Sequence, residues 1–422
     1  MSERNAVGNL RTSPFSIEGK WRLLLCAMIA VYYLGLVLFP VLFRVLGLNF
    51  EFMWFLDSHA LLAASDAAAA GLNPYARNPL DILGRPHVYS HWWLYFSRFG
   101  VTRDDNFLVG GFFLAAFFTV VFWWLRPRSF GEATWGFLIM ASPAIVLGVE
   151  RANNDLVIFA LLALVIPLMA SEREWVRWCA LIPVLAGTLL KFYPAAAVLV
   201  LLMGESRREV VSRAVVSAIL LGLVFLHLSA ELAVLAPIIP KAAGLLSYGA
   251  SQMFEEMGVP GWLTVPCGMV LGGLLCIGGL LTSPRLVQPV GRTGRAEWVA
   301  FVLGAVLLTA CFFTRASYVY RFVYSVFMAP FLWRVWTDQM ESRRLRRLAG
   351  ITMGLMLVAL WGDGMVLSFL MGLTDKYSVQ TLVATADVVA HWRQPLIWAF
   401  ITCLLCFLGD HYRQVWNRLA GR

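Results

Sequence analysis

The chain has 422 residues, of which 60% are hydrophobic and 14% charged, with a mean hydropathy of +0.72. A water-facing surface cannot be built from so few polar groups, since soluble proteins average about 25% charged residues. An ordinary soluble enzyme, a disordered chain and a secreted disulfide scaffold are excluded, and the net charge of +9 becomes a question of membrane sidedness.

Met1 to Lys20 is polar. The apolar run from Trp21 to about Phe43 is too long and too aromatic for a cleaved leader, and it reads as the first span. A first outer loop, 47–105, follows; it is too interrupted to form a core of its own. Within it, Ser58 to Ala70 reads as an amphipathic helix stopped by Gly71-Leu-Asn-Pro-Tyr75. Asp57 stands just before that helix and could cap it. Further apolar runs lie near 106–125, 132–149, 155–170, 212–235, 262–283, 298–313, 320–337, 348–370 and 395–410.

Residues 178–203 behave differently, because both flanks are charged and a single helix cannot start and finish on one side of a membrane. Lys191-Phe-Tyr-Pro194 interrupts the run, and proline both breaks the helical ladder and pushes the residue before it out of helix. Two short helices meeting at Lys191 are expected. Irregular backbone at depth survives only where protein or a water-filled cavity covers it, which places Lys191 at a cavity.

The expected architecture is an all-α polytopic membrane protein, one integral domain over 1–422 with about 12 helices. On that topology 22 of the 34 Lys and Arg fall on the cytoplasmic side, which puts both termini in the cytoplasm and the protein in the inner or plasma membrane. The basic balance then reports topology and contact with anionic lipid, not nucleic acid. The seven cysteines lie in or beside apolar runs and read as buried structural thiols, Cys403 and Cys406 included.

Ionisable residues at a membrane boundary are costly, so they mark candidate sites. They gather on the outer side: Asp57, the Glu150-Arg151-Ala-Asn153-Asn154-Asp155 turn, Lys191, and Arg315 and Arg321 around Ala-Ser-Tyr-Val-Tyr. Carboxylate, cations and aromatics together suit an anionic headgroup bearing a sugar. Bland readings exist for each: Arg151 and Asp155 could form an i,i+4 ion pair, and Arg315 and Arg321 could snorkel to headgroups. His59, His87 and His91 share the first loop without a metal motif; substrate contact is favoured over zinc, and a divalent metal is left open. No cofactor is expected. Walker A, Gly-x-Ser-x-Gly and strand–glycine–helix signatures are all missing from the sequence.

Asp57 followed by Gly71-Leu-Asn-Pro-Tyr75, then Arg151-Ala-Asn-Asn-Asp-Leu156, then Leu189-Leu-Lys-Phe-Tyr-Pro194 resembles, in order and spacing, the polyprenyl-phosphate-dependent membrane glycosyltransferases of family 87. The chain departs from that family where Val88-Tyr-Ser-His-Trp-Trp93 replaces Tyr-Pro-Pro, and where Glu-Arg-Ala-Asn-Asn replaces a glycine-rich form. The resemblance implies a type C fold and transfer of a mannose-like hexose from a polyprenyl-phosphate donor to a glycolipid or glycan hydroxyl, with inversion. Asp57 would be the general base. Lys191, Arg151, Arg315 and Arg321 would bind the donor phosphate. Asn153, Asn154, Asp155, Tyr75, His59 and His91 would bind sugar or acceptor. A transporter or lipid flippase is the competing class, and its signature would be two matched broken helices; only one broken pair is found. A non-catalytic assembly subunit fits the composition but not the Asp57 and Lys191 set.

Overall fold

The apolar runs become helices, and prolines decide where several of them stop. The computed structural model describes residues 17–49, 53–204, 206–239, 244–282, 294–314, 317–374, 376 and 378–420. Among them the one sheet is a short antiparallel pair, Ser247–Tyr248 with Ser317–Tyr318. Six helices are long and apolar enough to cross a membrane: Gly19–Leu38, Arg103–Trp124, Arg207–His227, Arg295–Phe313, Arg343–Met371 and Gln380–Asn417. The protein is therefore all-α, with the helices of a multi-pass membrane protein.

A seventh candidate is a bent pair, Phe130–Met140 and Pro143–Glu150, which turn by 55°. Ser142 precedes a proline and takes an extended backbone (ψ 145°), and Pro143 then opens the next helix, where its missing N–H costs nothing. Two shorter apolar helices are Asp155–Ala170 and Gly261–Leu275. Gly19–Leu38 and Arg207–His227 are each only 17% buried and expose apolar side chains, the surface that lipid would cover.

Arg295–Phe313 is 72% buried and forms the axis of the core. It packs on Ser325–Thr337, which packs on Arg343–Met371, which lies along Val379–Leu419. Aromatic rings fill the space between them: Phe159 stacks on Phe327 at 4.2 Å, and Phe301 meets Phe331 at 4.5 Å. A buried ion pair, Asp363 with Arg393, joins the last two helices. It also anchors the chain beside the small sheet, because the Leu246 N–H donates to Asp363 Oδ2 at 2.8 Å and Arg393 donates to the Ser247 carbonyl.

Several elements differ from the sequence expectation. The run at 320–337 opens as a 3-10 turn, Val319–Tyr324, before Ser325–Thr337. The run at 395–410 is the middle of a 41-residue helix, Val379–Leu419, about 60 Å long at 1.5 Å per residue. At 178–203 the helix Leu181–Leu190 stops at Lys191, whose backbone is extended (φ −147°, ψ 137°); a 3-10 turn, Tyr193–Ala197, and the short helix Val198–Leu201 follow.

The first-loop helix runs Leu56–Ala69, two residues earlier than expected. Phe55, in the left-handed region at φ 66°, precedes it, so Asp57 lies inside the first turn and is not the cap. A carboxylate there is favoured by the helix dipole. Leu61 and Leu62 pack on Trp93, Val109 and Phe113. Gly110 makes room for the Phe55 ring: a Cβ at 110 would stand 2.4 Å from it. Gly110→Ala is expected to lower unfolding stability by about 1–3 kcal/mol through this clash. Thermal unfolding of the detergent-solubilised protein checks it, and an unchanged midpoint would mean that Phe55 yields freely.

Candidate active site

Asp57 is fixed first by backbone. The Phe55 N–H donates to the Glu150 carbonyl and the Asp57 N–H to the Arg151 carbonyl, both at 2.9 Å. This joint ties the start of the first-loop helix to the turn after the bent pair. Asp57 is buried (9% exposed). Its Oδ1 accepts from Arg85 Nη1 at 3.1 Å, with Arg151 Nη1 at 3.6 Å, and its Oδ2 accepts from Asn153 Nδ2 at 2.7 Å. Arg85 also donates to the Leu56 carbonyl and to both oxygens of Asp81. His59 lies 3.6 Å from Asp81. Burial alone would raise the Asp81 carboxyl, but nearby His59 and the hydrogen bonds and charge of Arg85 outweigh it and hold it well below the usual carboxylate range.

A second, deeper carboxylate adjoins this group. Asp155, 1% exposed, accepts from Lys191 Nζ at 2.6 Å and from the Tyr193 hydroxyl on the same oxygen. Tyr193 and Tyr324 share a hydroxyl hydrogen bond of 2.6 Å. Arg321 lies 4.7 Å over the Tyr193 ring, with its Nε 3.8 Å from Asp155 Oδ2. Neither of those two atoms has a hydrogen-bond partner among the described residues.

Tyr89 links the halves. Lys191 sits 4.9 Å over its ring. Burial pushes the Tyr89 phenol up, and the charges of Asp57 and Asp155 push it further. Asn153 links them again: its Oδ1 accepts the Asp155 N–H at 2.9 Å while its Nδ2 holds Asp57. Arg85, Arg151, Lys191 and Arg321 face Asp57, Asp81 and Asp155.

The alternative reading of Arg151 and Asp155 as an i,i+4 ion pair does not hold. Ala152 takes φ 44° between them, so the two residues do not share a helical face; Arg151 goes to Asp57 and Asp155 to Lys191. Phe55, Ala152 and Leu246 are the three non-glycine residues with positive φ among those described, and two of them flank Asp57. Such conformers cost about 1–3 kcal/mol each and cluster at functional sites.

The other candidates divide. Asn153 is engaged at both ends of its amide, whereas the Asn154 amide is 1% exposed and neither of its polar atoms has a partner among the described residues. His59 belongs to the Asp57 group through Asp81. Tyr75 and His91 do not; both converge on Glu231, at 3.2 Å for the Tyr75 hydroxyl and 2.9 Å for His91 Nδ1. Arg315 lies outside the described residues. Among those residues, no three His, Cys, Asp or Glu gather as a metal site requires. Arg85, Tyr89, Tyr193 and Tyr324 were missed. Gly84 and Pro86 around Arg85 signal a fixed turn, but nothing in the sequence directs Arg85 to a partner 28 residues away.

An apolar groove of about 350 Å³ is lined by Tyr33, Leu36, Trp54, Phe55, Phe118 and Glu150 among others. Phe55 and Glu150 are the same two residues that form the backbone bond next to Asp57.

His87 supports the loop that carries Tyr89. It is buried, its Nε2 donates to the Ser90 carbonyl at 3.1 Å, and burial pushes its pKa down to about 4. The Glu231 charge pulls upward and His91 downward, both less strongly. At neutral pH the ring is uncharged in both folded and unfolded chains. As pH falls through 6.5 towards 4, the unfolded chain takes up a proton that the folded loop refuses, so stability falls with pH. The loss is about 3 kcal/mol across that window. His87→Gln is expected to flatten the fall, measured as melting midpoint between pH 7 and pH 4.5; parallel curves for the two proteins would contradict it.

No family model, curated protein or solved structure matches the chain. Its chemistry is therefore read from its own residues.

Proposed function

We propose that the protein is a polyprenyl-phosphate-dependent hexosyltransferase, acting on the outer face of a cell membrane with both termini in the cytoplasm. The observation that carries the reading is a carboxylate, Asp57, held by backbone and Asn153 among cations, with an apolar groove lined by the neighbouring residues Phe55 and Glu150. A lipid-linked sugar phosphate has the same three parts: an apolar tail, an anion and a reacting sugar. In this reading the short and broken helices bring the membrane helices to about 12 in a type C arrangement, consistent with the ordered motifs that resemble family 87.

The prenyl tail would occupy the groove. The phosphate would meet Arg85, Arg151 and Arg321, whose side chains are 28%, 24% and 22% exposed. Lys191 would act behind them as a buried positive charge, and Arg315 is assigned to the same group. Arginine binds phosphate bidentately, and Lys serves as a point charge. The phosphate competes with Asp57 for Arg85 and Arg151, which leaves the carboxylate oxygen open to an acceptor hydroxyl. Asp57 then takes the hydroxyl proton as that oxygen attacks the anomeric carbon from the face opposite the phosphate. The bond from the anomeric carbon to the phosphate oxygen breaks, and the electron pair leaves with the prenyl phosphate. These cations stabilise that leaving group. Asn154, with its free amide, binds a sugar hydroxyl; Asn153 positions the base.

The test is to incubate membranes containing the protein with radiolabelled polyprenyl-phosphate mannose. Label appearing on a new acceptor supports transfer. Label that only changes leaflet identifies a flippase and overturns the reading.

A further inference from the structure

A second groove, of about 460 Å³, lies along the 3-10 helix His91–Phe99. Ala68, Ala69, His91, Tyr95, Ser97 and Arg98 are among its lining residues. We propose that this groove binds the oligosaccharide arm of the acceptor, at a distance from the reacting hydroxyl. The word acceptor rests on the transferase reading; the groove's affinity for saccharide does not.

Its chemistry is that of a sugar platform. Arg98 stacks on the Tyr95 ring at 4.4 Å, and Trp92, 42% exposed, meets the same ring at 5.6 Å. Aromatic rings at the surface offer flat faces for the C–H side of a pyranose. Beside them stand four polar groups with no hydrogen-bond partner among the described residues: the Tyr95 hydroxyl, the Ser97 hydroxyl, the Arg98 guanidinium and His91 Nε2. Arginine only donates, a ring nitrogen donates or accepts, and hydroxyls do both, which matches a ligand built of hydroxyl groups. A phosphate headgroup would call for several cations, and this groove has one.

The groove is also built. Glu231 accepts from His91 Nδ1 at 2.9 Å, from the His91 backbone N–H and from the Tyr75 hydroxyl. That pairing fixes the orientation of the His91 ring. It explains why Tyr75 and His91 gather away from Asp57. The helix Leu56–Ala69 then connects the two places, with Asp57 in its first turn and Ala68 in its last. They are about 16 Å apart along the axis. A ligand that reaches both is an oligosaccharide, not a monosaccharide.

The experiment titrates the full protein in nanodiscs with α-linked mannotetraose, cellotetraose and mannose, read by saturation-transfer NMR and by Trp fluorescence. One of the tetraoses is expected to bind more tightly than mannose. Tyr95→Ala and Arg98→Ala should each weaken it about ten-fold, the scale of one lost aromatic or stacked contact. Tyr95→Phe, which keeps the ring, should stay within a few-fold of the parent protein. Melting midpoints identify any variant that fails to fold, and Arg98→Ala, on the exposed rim, serves if Tyr95→Ala does. Failure of both tetraoses to bind, or binding unchanged by Tyr95→Ala and Arg98→Ala, overturns the proposal. Asp57→Asn separates the two readings, since it should retain tetraose binding. If the groove variants lose tetraose while no sugar is ever transferred, the groove stands and the transferase reading falls. If transfer proceeds while neither tetraose binds, the reverse holds.

Discussion

Asp57→Asn is expected to lower hexose transfer by roughly 10²–10⁴-fold, the usual worth of a positioned general base. The substitution is chosen because Asn keeps the shape of the side chain. Its carbonyl oxygen can still accept from Arg85 or Asn153, and the two backbone bonds at 2.9 Å that fix residues 55 and 57 do not involve the side chain. Arg85 keeps Asp81 as its counter-ion at 3.0 Å. Donor binding should therefore survive, or tighten slightly, because a competitor for Arg85 and Arg151 has been removed. The signature is a fall in kcat with KM for the donor lipid unchanged or lower. The measurement is transfer by purified protein with a labelled polyprenyl-phosphate sugar, together with a binding assay for the same lipid. Normal transfer rates would remove Asp57 from the role of base. Loss of donor binding would make Asp57 a structural member of the Arg85 network instead.

Local signals in the sequence carry the helical class and the stop in the helix at Lys191, because each rests on proline or an apolar run of known length. The extended backbone at Lys191 follows from Pro194 three residues on, combined with the apolar flanks that pack the two legs together. Partnerships were not legible, because they are set by chain reversals far apart in sequence. Asp155 pairs with Lys191 and not with Arg151 since Ala152 at φ 44° turns the chain, and no propensity rule assigns alanine a left-handed backbone. Asp57 lies inside its helix because Phe55, not Asp57, occupies the capping position, and Gly110 from another helix leaves room for that ring. Tyr75 and His91 were grouped with Asp57 by nearness in sequence, but Glu231 draws them to the far end of the same helix. Asp363 and Arg393 were hidden inside or beside apolar runs, where their pairing depends on two long helices lying side by side.

Lys191→Met should destabilise the protein by about 3–5 kcal/mol, since it removes the closest charge from a carboxylate that is 1% exposed. Arg321, at 3.8 Å, is too far to replace a 2.6 Å ammonium contact without movement. Asp155→Asn should cost a similar amount by leaving Lys191 and Arg321 facing each other without a counter-ion. The double variant, Lys191→Met with Asp155→Asn, removes both charges of the pair and should recover most of the loss, because buried ion pairs contribute little net stability once both partners are gone. Melting midpoints of the four proteins form the cycle. Activity separates structure from function. If Lys191 serves only to neutralise Asp155, transfer should return in the double variant together with stability. If Lys191 stabilises the departing phosphate, the double variant folds like the parent protein and still transfers slowly, with donor affinity reduced. Recovery of both properties would take Lys191 out of the donor site and leave the phosphate to Arg85, Arg151 and Arg321.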